Sequence, residues 1–156
     1  MGAIEARIEE LGLTLPAVAT PLASYVPAVR TGDLVFTSGQ LPTVDGQLVA
    51  AGRVGDGEGL VDVETAKRAA AVAVLNALAA VKSVVGDLDL VEQVVKLNGF
   101  VACDPSFTSH AAVMNGASEL LGEIFGERGK HARAAVGMSS LPLNAPVELE
   151  IVVRVR

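Results

Sequence analysis

The sequence predicts an α+β fold in which two long helices cover one face of a mainly antiparallel sheet. Strand-like runs cluster near both ends of the chain, two helical patterns lie between them, and one β-branched run separates the helices. Strands and helices that do not alternate strictly favour separate layers over a parallel βαβ arrangement. The expected order is a short N-terminal helix followed by β-β-β-α-β-α-β-β.

The N-terminal part of the chain contains a short amphipathic helix and three short strands. Residues 3–11 place Ile4 and Ile8 at helical spacing, and residues 14–23 contain two prolines, which are typical of an extended connector. Turn residues between strand-like runs then predict three strands, over residues 25–30, 34–38 and 47–51. The sheet is therefore expected to begin after the connector.

Two helices form the predicted layer over the sheet. Asp62 is a candidate N-cap for a helix that runs to Val85 and stops at Gly86. The middle of this helix is apolar nearly all round, which is typical of a helix covered on more than one face. A buried strand is predicted over residues 91–103 and a second helix over residues 107–125.

The composition predicts a single domain that associates with copies of itself. The chain has 156 residues, of which 51% are hydrophobic and 19% are charged, and its mean hydropathy is +0.47. This length is sufficient for one core. The low fraction of charged residues leaves much apolar surface to cover, which favours burial between subunits.

Charge and residue content argue against several classes of partner. A net charge of −6 and only 3% aromatic residues disfavour nucleic acid, which is bound by clustered cations and stacked rings. One cysteine, Cys103, and two histidines cannot form an ordinary structural zinc site, and a lone cysteine suits a reducing compartment. The apolar stretch at residues 69–81 is shorter than the ~20 residues of a membrane span, and the charged N-terminus does not resemble a signal peptide. We therefore expect a cytoplasmic protein with no membrane partner.

The C-terminal segment contains the strongest candidate for chemistry. Two strand-like runs flank a Pro-bounded turn, and Arg133 stands among apolar neighbours in the first of them. A guanidinium taken out of water needs an anionic partner, and its planar fork can bind a carboxylate or phosphate bidentately. The partner is either a protein carboxylate, from the same strand region or a neighbouring subunit, or the anionic group of a ligand.

Glu148, on the second of these runs, is the candidate acid. A simple hairpin between the two strands would leave Arg133 and Glu148 four residues apart along the strand, or ~13 Å. Direct contact is therefore not predicted, and a shared ligand would require a bulge, a different strand order, or groups from another subunit. Glu150 points to the same face as Glu148 and is a rival for the same role.

Three stretches of the chain, taken together, resemble the YjgF/Rid (reactive intermediate deaminase) family. The C-terminal stretch has Ala-Arg-small-x-Val around Arg133, then a Leu-Pro turn, then a Val-Glu-x-Glu strand that contains Glu148. The second stretch is Thr-Ser-Gly-Gln at residues 37–40. The third is the strand over residues 95–101, with Asn115 in the helix that follows.

The resemblance covers the chain from about Tyr25 to its end. It implies a chorismate-mutase-like fold that assembles as a homotrimer with ligand pockets between subunits. Residues 24–156 are then a YjgF/Rid-like domain, and residues 1–23, the helix and connector, are an N-terminal extension without a predicted function.

The resemblance also implies roles for individual residues. Arg133 would hold the carboxylate of a substrate, and Glu148 would activate or orient water, which requires hydrogen-bond reach of the reacting atom. The other residues expected to line the pocket are Tyr25, from the adjacent subunit, and Ser38, Gly39, Asn115 and Ala135. The alternatives are a solvated or ion-paired Glu148, a core or interface position for Tyr25, and a plain polar helix position for Asn115.

Two positions depart from the pattern of the deaminase subgroup. Ala135 replaces a frequent cysteine, although its backbone N–H and C=O remain, and Gly137 stands where an acid is common. Because of these two departures, the identity of the substrate is not predicted. A nucleophilic Ser38 is not expected, because the sequence shows no recognisable histidine and acid to activate it, and His110 and His131 are predicted to be ordinary surface or loop residues.

The resemblance implies a deaminase that hydrolyses enamine or imine acids such as 2-aminoacrylate, 2-iminobutanoate and 2-iminopropanoate. The products would be a 2-keto acid and ammonia, and no metal or organic cofactor would be needed. The alternative is a trimeric protein that binds small carboxylate metabolites without converting them.

Overall fold

A computed structural model describes residues 1–21 and 23–156 and confirms the α+β fold. The helices in this part of the chain are α1 (Ala3–Glu10), α2 (Val63–Val85) and α3 (His110–Phe125). The strands are β1 (Ala28–Thr31), β2 (Leu34–Thr37), β3 (Thr43–Val44), β4 (Gln47–Leu48), β5 (Val91–Ala102), β6 (Ala132–Met138) and β7 (Val147–Val155).

Five strands form one sheet in the order β1-β2-β7-β5-β6, and β3 and β4 form a separate two-stranded ribbon. Within the large sheet only β5 and β6 run parallel. The chain leaves β5, passes through α3 and returns as β6, which is how a helix joins two parallel neighbours. β6 therefore lies at the outer edge of the sheet.

The last two strands do not form the simple hairpin considered above, and the alternative of a different strand order is the one observed. β5 lies between β6 and β7 and pairs with both. The reason is the α3 crossover, because it delivers β6 to one side of β5 while the other side accepts β7. The two charges considered above are consequently separated by a whole strand.

Side chains alternate between the two faces of the sheet along β7. In β7 the residues Val147, Leu149, Ile151 and Val153 are buried, whereas the positions between them are half-buried. The buried set faces α2, and α3 packs against the neighbouring strands β5 and β6. Glu148 and Glu150 belong to the other set, so they lie on the face that no described helix covers.

Helix α2 is the central helix of the core. Asp62 caps it as predicted, accepting a hydrogen bond from the Thr65 N–H at 2.8 Å, which lowers the pKa of Asp62. The helix has 23 residues and is long and apolar enough to cross a membrane, but 61% of its most apolar window is buried inside the protein. Its apolar surface is thus largely covered by the sheet and by α3.

Helix α1 packs into the same core. Ile4 and Ile8 are buried, and the Asp89 carboxylate accepts hydrogen bonds from the backbone N–H groups of Ala3 and Ile4, both at 2.8 Å. These two bonds lower the pKa of Asp89. The division of the chain between residues 23 and 24 stays a prediction.

The short elements differ most from the sequence prediction. β1 begins three residues later than predicted, α3 begins at His110, and the strand expected over residues 47–51 contains only Gln47–Leu48. Its partner β3 was not predicted, because two residues carry no periodic signal.

Gly116 allows α3 to approach α2 closely. A Cβ atom at this position would overlap the backbone carbonyl oxygen of Lys67 on α2. Backbone cannot move aside as a flexible side chain can, so any larger residue would force the two helices apart.

We predict that Gly116→Ala lowers the free energy of unfolding by about 1–3 kcal/mol or more, the cost of overpacking. Gly122→Ala on the same helix is the matched control, because a Cβ there meets no atom within 4 Å. It should stabilise the protein by about 0.5–1 kcal/mol, since alanine favours helix. Urea unfolding at a fixed protein concentration measures both changes, and equal midpoints for the two variants would contradict the prediction.

Candidate functional site

Arg133 lies on the edge strand β6, on the face of the sheet that the helices cover. Its neighbour in register on β5 is Leu97, whose side chain is fully buried on that face. The guanidinium extends along α3, and the Arg133 residue as a whole is half-buried.

The contacts of the Arg133 guanidinium are all to uncharged oxygens. Nη1 donates to Asn115 Oδ1 at 2.9 Å and to Ser118 Oγ at 3.1 Å, and Nη2 approaches the Ala111 carbonyl oxygen at 3.5 Å. Among residues 1–21 and 23–156, no carboxylate forms an ion pair with it. The positive charge is therefore available to an anion from outside the chain.

Ser118 and His131 complete this cluster, and neither was predicted as a site residue. His131 Nε2 lies 2.9 Å from Ser118 Oγ, and its Nδ1 lies 2.6 Å from the Gly129 carbonyl oxygen. Ser118 follows Asn115 by three residues, so both face the same side of α3. That helical spacing, together with a histidine two residues before Arg133, was the available signal.

Glu148 lies on the opposite, uncovered face of the sheet, next to Gly39. A Cβ atom at Gly39 would come within 3.0 Å of the Glu148 Cδ and Oε1 atoms. The backbones of Gln40 and Leu149 exchange hydrogen bonds of 2.7 and 3.1 Å, which hold this segment against β7. A larger residue at Gly39 would therefore press on the Glu148 carboxylate and require it to shift by a few tenths of an ångström.

The pKa of Glu148 is raised, first by burial and second by the neighbouring Glu150 carboxylate. Glu150 itself accepts a hydrogen bond from Asn98 Nδ2 at 3.2 Å. The two acids therefore differ in environment: Glu150 has an amide donor, and Glu148 has no described hydrogen-bond donor. Of the two, Glu148 is the better suited to exchange a proton.

One chain does not bring Arg133 and Glu148 together. Arg133 is in register with Leu97 of β5, and Glu148 is in register with Phe100. Three residues separate these positions, and an odd number places the two side chains on opposite faces. Their Cα atoms are roughly 14 Å apart, from two strand spacings and three residues of rise.

The other predicted pocket residues lie in two groups. Ala135 follows Arg133 on the helix side of β6, in register with Gly99. Ser38 lies near Glu148, and its hydroxyl donates to the Val26 carbonyl oxygen at 2.6 Å. Tyr25 lies in the bend before β1 and is 49% exposed. Asn115 and Ala135 thus belong with Arg133, and Ser38 and Gly39 belong with Glu148.

Gly137 lies against Cys103 and His110. The Cys103 Sγ and His110 Nε2 atoms are 3.4 Å apart, and a Cβ at Gly137 would lie within 2.9 Å of both. An acid at this position would not fit beside these side chains. Burial raises the pKa of the Cys103 thiol, so the group is a packed neutral thiol. His110 is the first residue of α3, His131 lies in the loop before β6 as predicted, and both are half-buried.

The described residues contain no group of three or more histidine, cysteine or acidic side chains that could hold a metal ion. The two groups offer a guanidinium with its hydrogen-bond partners and a carboxyl with a raised pKa.

Comparison with known proteins identifies a family over nearly the whole chain. A family model described as "YjgF/chorismate mutase-like, putative endoribonuclease" matches residues 5–153. The protein called "Protein TCP17" of Trypanosoma cruzi is 42% identical over 153 residues, which cover 97% of this chain and 94% of that protein.

Two crystal structures are similar along the whole fold. Atu1372 of Agrobacterium tumefaciens, of unknown function, is 48% identical with a TM-score of 0.90, covering 98% of this chain and 92% of that one. A "putative endoribonuclease" of Shewanella oneidensis is 34% identical with a TM-score of 0.92, covering 99% and 100%. At this coverage of the chain, the similarity includes helix α1.

We predict that Glu150→Gln lowers the pKa of Glu148 towards its usual range. The substitution removes the Coulombic cause of the raised pKa, while burial persists. Glu148 then stays ionised to lower pH. The matched control is Glu92→Gln, since Glu92 pairs with Arg154 at 3.3 Å and does not contribute to the shift.

A pH titration followed by NMR of ¹³C-carboxyl-labelled glutamate measures this pKa, with the Glu148 signal assigned by its loss in Glu148→Gln. An unchanged or higher Glu148 pKa in Glu150→Gln would contradict the prediction.

Proposed function

Since this chain belongs to the YjgF/chorismate-mutase-like family, we propose that it is a hydrolytic deaminase of reactive enamine and imine acids of the 2-aminoacrylate type. The observation that carries the proposal is Arg133, a half-buried cation whose described partners are neutral oxygens. The products are a 2-keto acid and ammonia. The proposed reaction requires no metal or organic cofactor, and a buried free cysteine fits a cytoplasmic location.

Arg133 binds the substrate carboxylate in this proposal. Its Nη1 group is occupied by Asn115 and Ser118, so the Nε and Nη2 edge is the one that meets the ligand. A carboxylate fits that edge with two parallel hydrogen bonds. Ala135, two residues further on the same face, lies on an edge strand whose outward backbone groups have no strand partner.

Glu148 acts as the acid-base group. An enamine first becomes its imine, as its methylene carbon gains a proton from water and its nitrogen loses one. Water then adds to the carbon of the C=N bond: the carboxylate takes a proton from that water as the C–O bond forms, the π electrons move to nitrogen, and the carboxyl passes the proton to that nitrogen. The carbinolamine hydroxyl then gives its proton to the carboxylate, which passes it to the amino nitrogen as the C–N bond breaks, and C=O and ammonia are formed. A carboxyl with a raised pKa is suited to both steps, because proton transfer is most efficient when the catalytic pKa lies near the working pH.

Arg133 and Glu148 serve one substrate only if they come from two subunits. They lie on opposite faces of the sheet with β5 between them, and a substrate of the 2-aminoacrylate size cannot span roughly 14 Å through a strand. We therefore propose that each site joins the Arg133 group of one subunit, with Asn115 and Ala135, to the Glu148 group of the next. Ser38, Gly39 and Tyr25 belong to the second group.

The surface of the sheet supports assembly into a homotrimer. The face without helices carries apolar side chains that are too exposed for a monomer: Phe36 and Val136 are each 43% exposed, and Val29 is 53% exposed. Neighbouring copies that cover this face would bury them and exclude water from Glu148. The low charge content of the chain agrees with such burial.

The second candidate function is binding of small carboxylate metabolites without turnover. The observation that favours it is that the Arg133 group is complete within one chain, whereas the acid lies elsewhere. Ribonuclease activity is not part of the proposal, because the net charge of −6 and the low aromatic content do not suit RNA.

Arg133→Ala should lower kcat/KM for ammonia release from enzymatically generated imines by about 100-fold or more, because the substrate loses its charged anchor. Arg7→Ala is the control, since Arg7 also donates to a carbonyl oxygen but lies on α1. Equal rates for wild type and Arg133→Ala would refute the anchor. If wild type gives no acceleration but binds 2-keto acids saturably, the metabolite-binding alternative is correct.

Mixing subunits tests the two-chain site. Arg133→Ala and Glu148→Gln should each be inactive as homotrimers. Each mixed trimer would have one site in three that combines an intact Arg133 with an intact Glu148, as the cyclic symmetry requires. Co-expression with two different affinity tags isolates the mixed trimers for the ammonia assay. If both residues acted from one chain, the mixture would stay inactive.

A further inference from the structure

A chain of hydrogen bonds links the turn after α3 to the Arg133 guanidinium. It runs from the Gly129 carbonyl oxygen to His131 Nδ1 at 2.6 Å, from His131 Nε2 to Ser118 Oγ at 2.9 Å, and from Ser118 Oγ to Arg133 Nη1 at 3.1 Å. His131, just before β6, and Arg133, in β6, are two residues apart and lie on one side of the chain. Ser118 faces them from α3.

The chemistry of the groups fixes the direction of these bonds. A carbonyl oxygen only accepts, so His131 Nδ1 must carry a hydrogen, and in the neutral imidazole Nε2 is then the acceptor. The Ser118 hydroxyl consequently donates to His131. Its oxygen is left as an acceptor for Arg133, which can only donate. With a neutral imidazole, every link in the chain is satisfied in this one arrangement.

The first link is held rigidly by packing. Gly129 is buried, and a Cβ atom there would overlap the Leu121 carbonyl oxygen of α3. The turn after α3 is therefore pressed against the helix, which fixes the carbonyl that orients His131. Ser118 belongs to the same helix. The distance between the Gly129 carbonyl oxygen and the Ser118 hydroxyl, the two groups that His131 joins, is therefore also fixed.

The chain of bonds determines which edge of Arg133 is left for a ligand. Asn115 Oδ1 and Ser118 Oγ together use both hydrogens of Nη1. Nη2 has one long contact of 3.5 Å, and Nε donates to no residue in the described ranges 1–21 and 23–156. The guanidinium is thus clamped on one side and open on the Nε and Nη2 side.

We infer that Ser118 and His131 are positioning residues, which act through Arg133 and aim its Nε and Nη2 edge at the carboxylate of a small 2-keto or 2-imino acid. This inference rests on the proposed function and adds detail to it. A carboxylate that fits this edge must lie in the plane of the clamped guanidinium. Without the clamp, a long arginine side chain has several rotamers, and the ligand must pay the cost of ordering it.

Two pairs of variants separate the hydroxyl and imidazole roles from general packing. Ser118→Ala removes the acceptor, whereas Ser118→Thr keeps a hydroxyl. His131→Leu removes the acceptor for Ser118, whereas His131→Gln can place an amide oxygen near the position of Nε2. Binding of 2-oxobutanoate is measured by calorimetry for each variant, and kcat and KM are measured in the ammonia assay.

We expect a roughly tenfold rise in Kd and KM for Ser118→Ala and for His131→Leu, with kcat changed much less, because a hydrogen bond to a charged group is lost. The threonine and glutamine variants should recover most of the affinity. The double variant Ser118→Ala/His131→Leu should cost no more than either single change, because both interrupt the same chain.

Arg133→Lys provides the decisive background. Lysine keeps a charge but has no Nε and Nη2 edge to aim, so Ser118→Ala should have little effect on Kd there. Unchanged affinity in Ser118→Ala, or an equal loss in the Arg133→Lys background, would overturn the inference.

A readout without ligand keeps this inference separate from the proposed function. The ¹⁵N–¹H signals of the Arg133 guanidinium, assigned by their loss in Arg133→Lys, should show slow hydrogen exchange in wild type and faster exchange in Ser118→Ala. If wild type neither binds nor converts the acids, the proposed function fails, and identical exchange in the two proteins would overturn the positioning role as well.

Discussion

The pairing of β5 with β6 on one side and β7 on the other determines where each candidate residue lies. Side chains alternate along a strand, so partners that are an odd number of residues apart on β5 point to opposite faces. Leu97 and Phe100 are three residues apart, and they set the positions of Arg133 and Glu148 respectively. A guanidinium beneath the helices and a carboxyl on the uncovered face follow directly from this register.

The position of α3 determines which side chains contact Arg133. Gly99 and Gly116 allow the helix to lie close to β5 and to α2, because a Cβ at the first would overlap the Met114 side chain and at the second the Lys67 backbone. The close approach brings Asn115 and Ser118 within 3.1 Å of Arg133. Packing between small residues in the core thus decides how a charged group at the edge of the sheet is held.

The uncovered sheet face gives a physical reason for the composition, and its covering by other copies would add to the burial that already raises the pKa of Glu148. Apolar side chains and two acids share this face, and only one of the acids has an amide donor. A face of this kind is expected to lie against other copies of the chain, where water is scarce and a carboxyl holds its proton more tightly. The same burial that stabilises the assembly would therefore prepare Glu148 for proton transfer.

The sequence by itself determined the elements whose signals are local. The Asp62 cap and Gly86 stop delimited α2, the β-branched run located β5, and the apolar setting of Arg133 singled it out, because caps, glycines and periodicity act over a few residues. Family-like stretches also identified the fold class. The tertiary structure alone decided that β5 separates β6 from β7, and that Ser118 and His131 meet Arg133. Strand order depends on the α3 crossover, and contacts between residues 13 to 15 positions apart depend on packing, neither of which local propensity encodes.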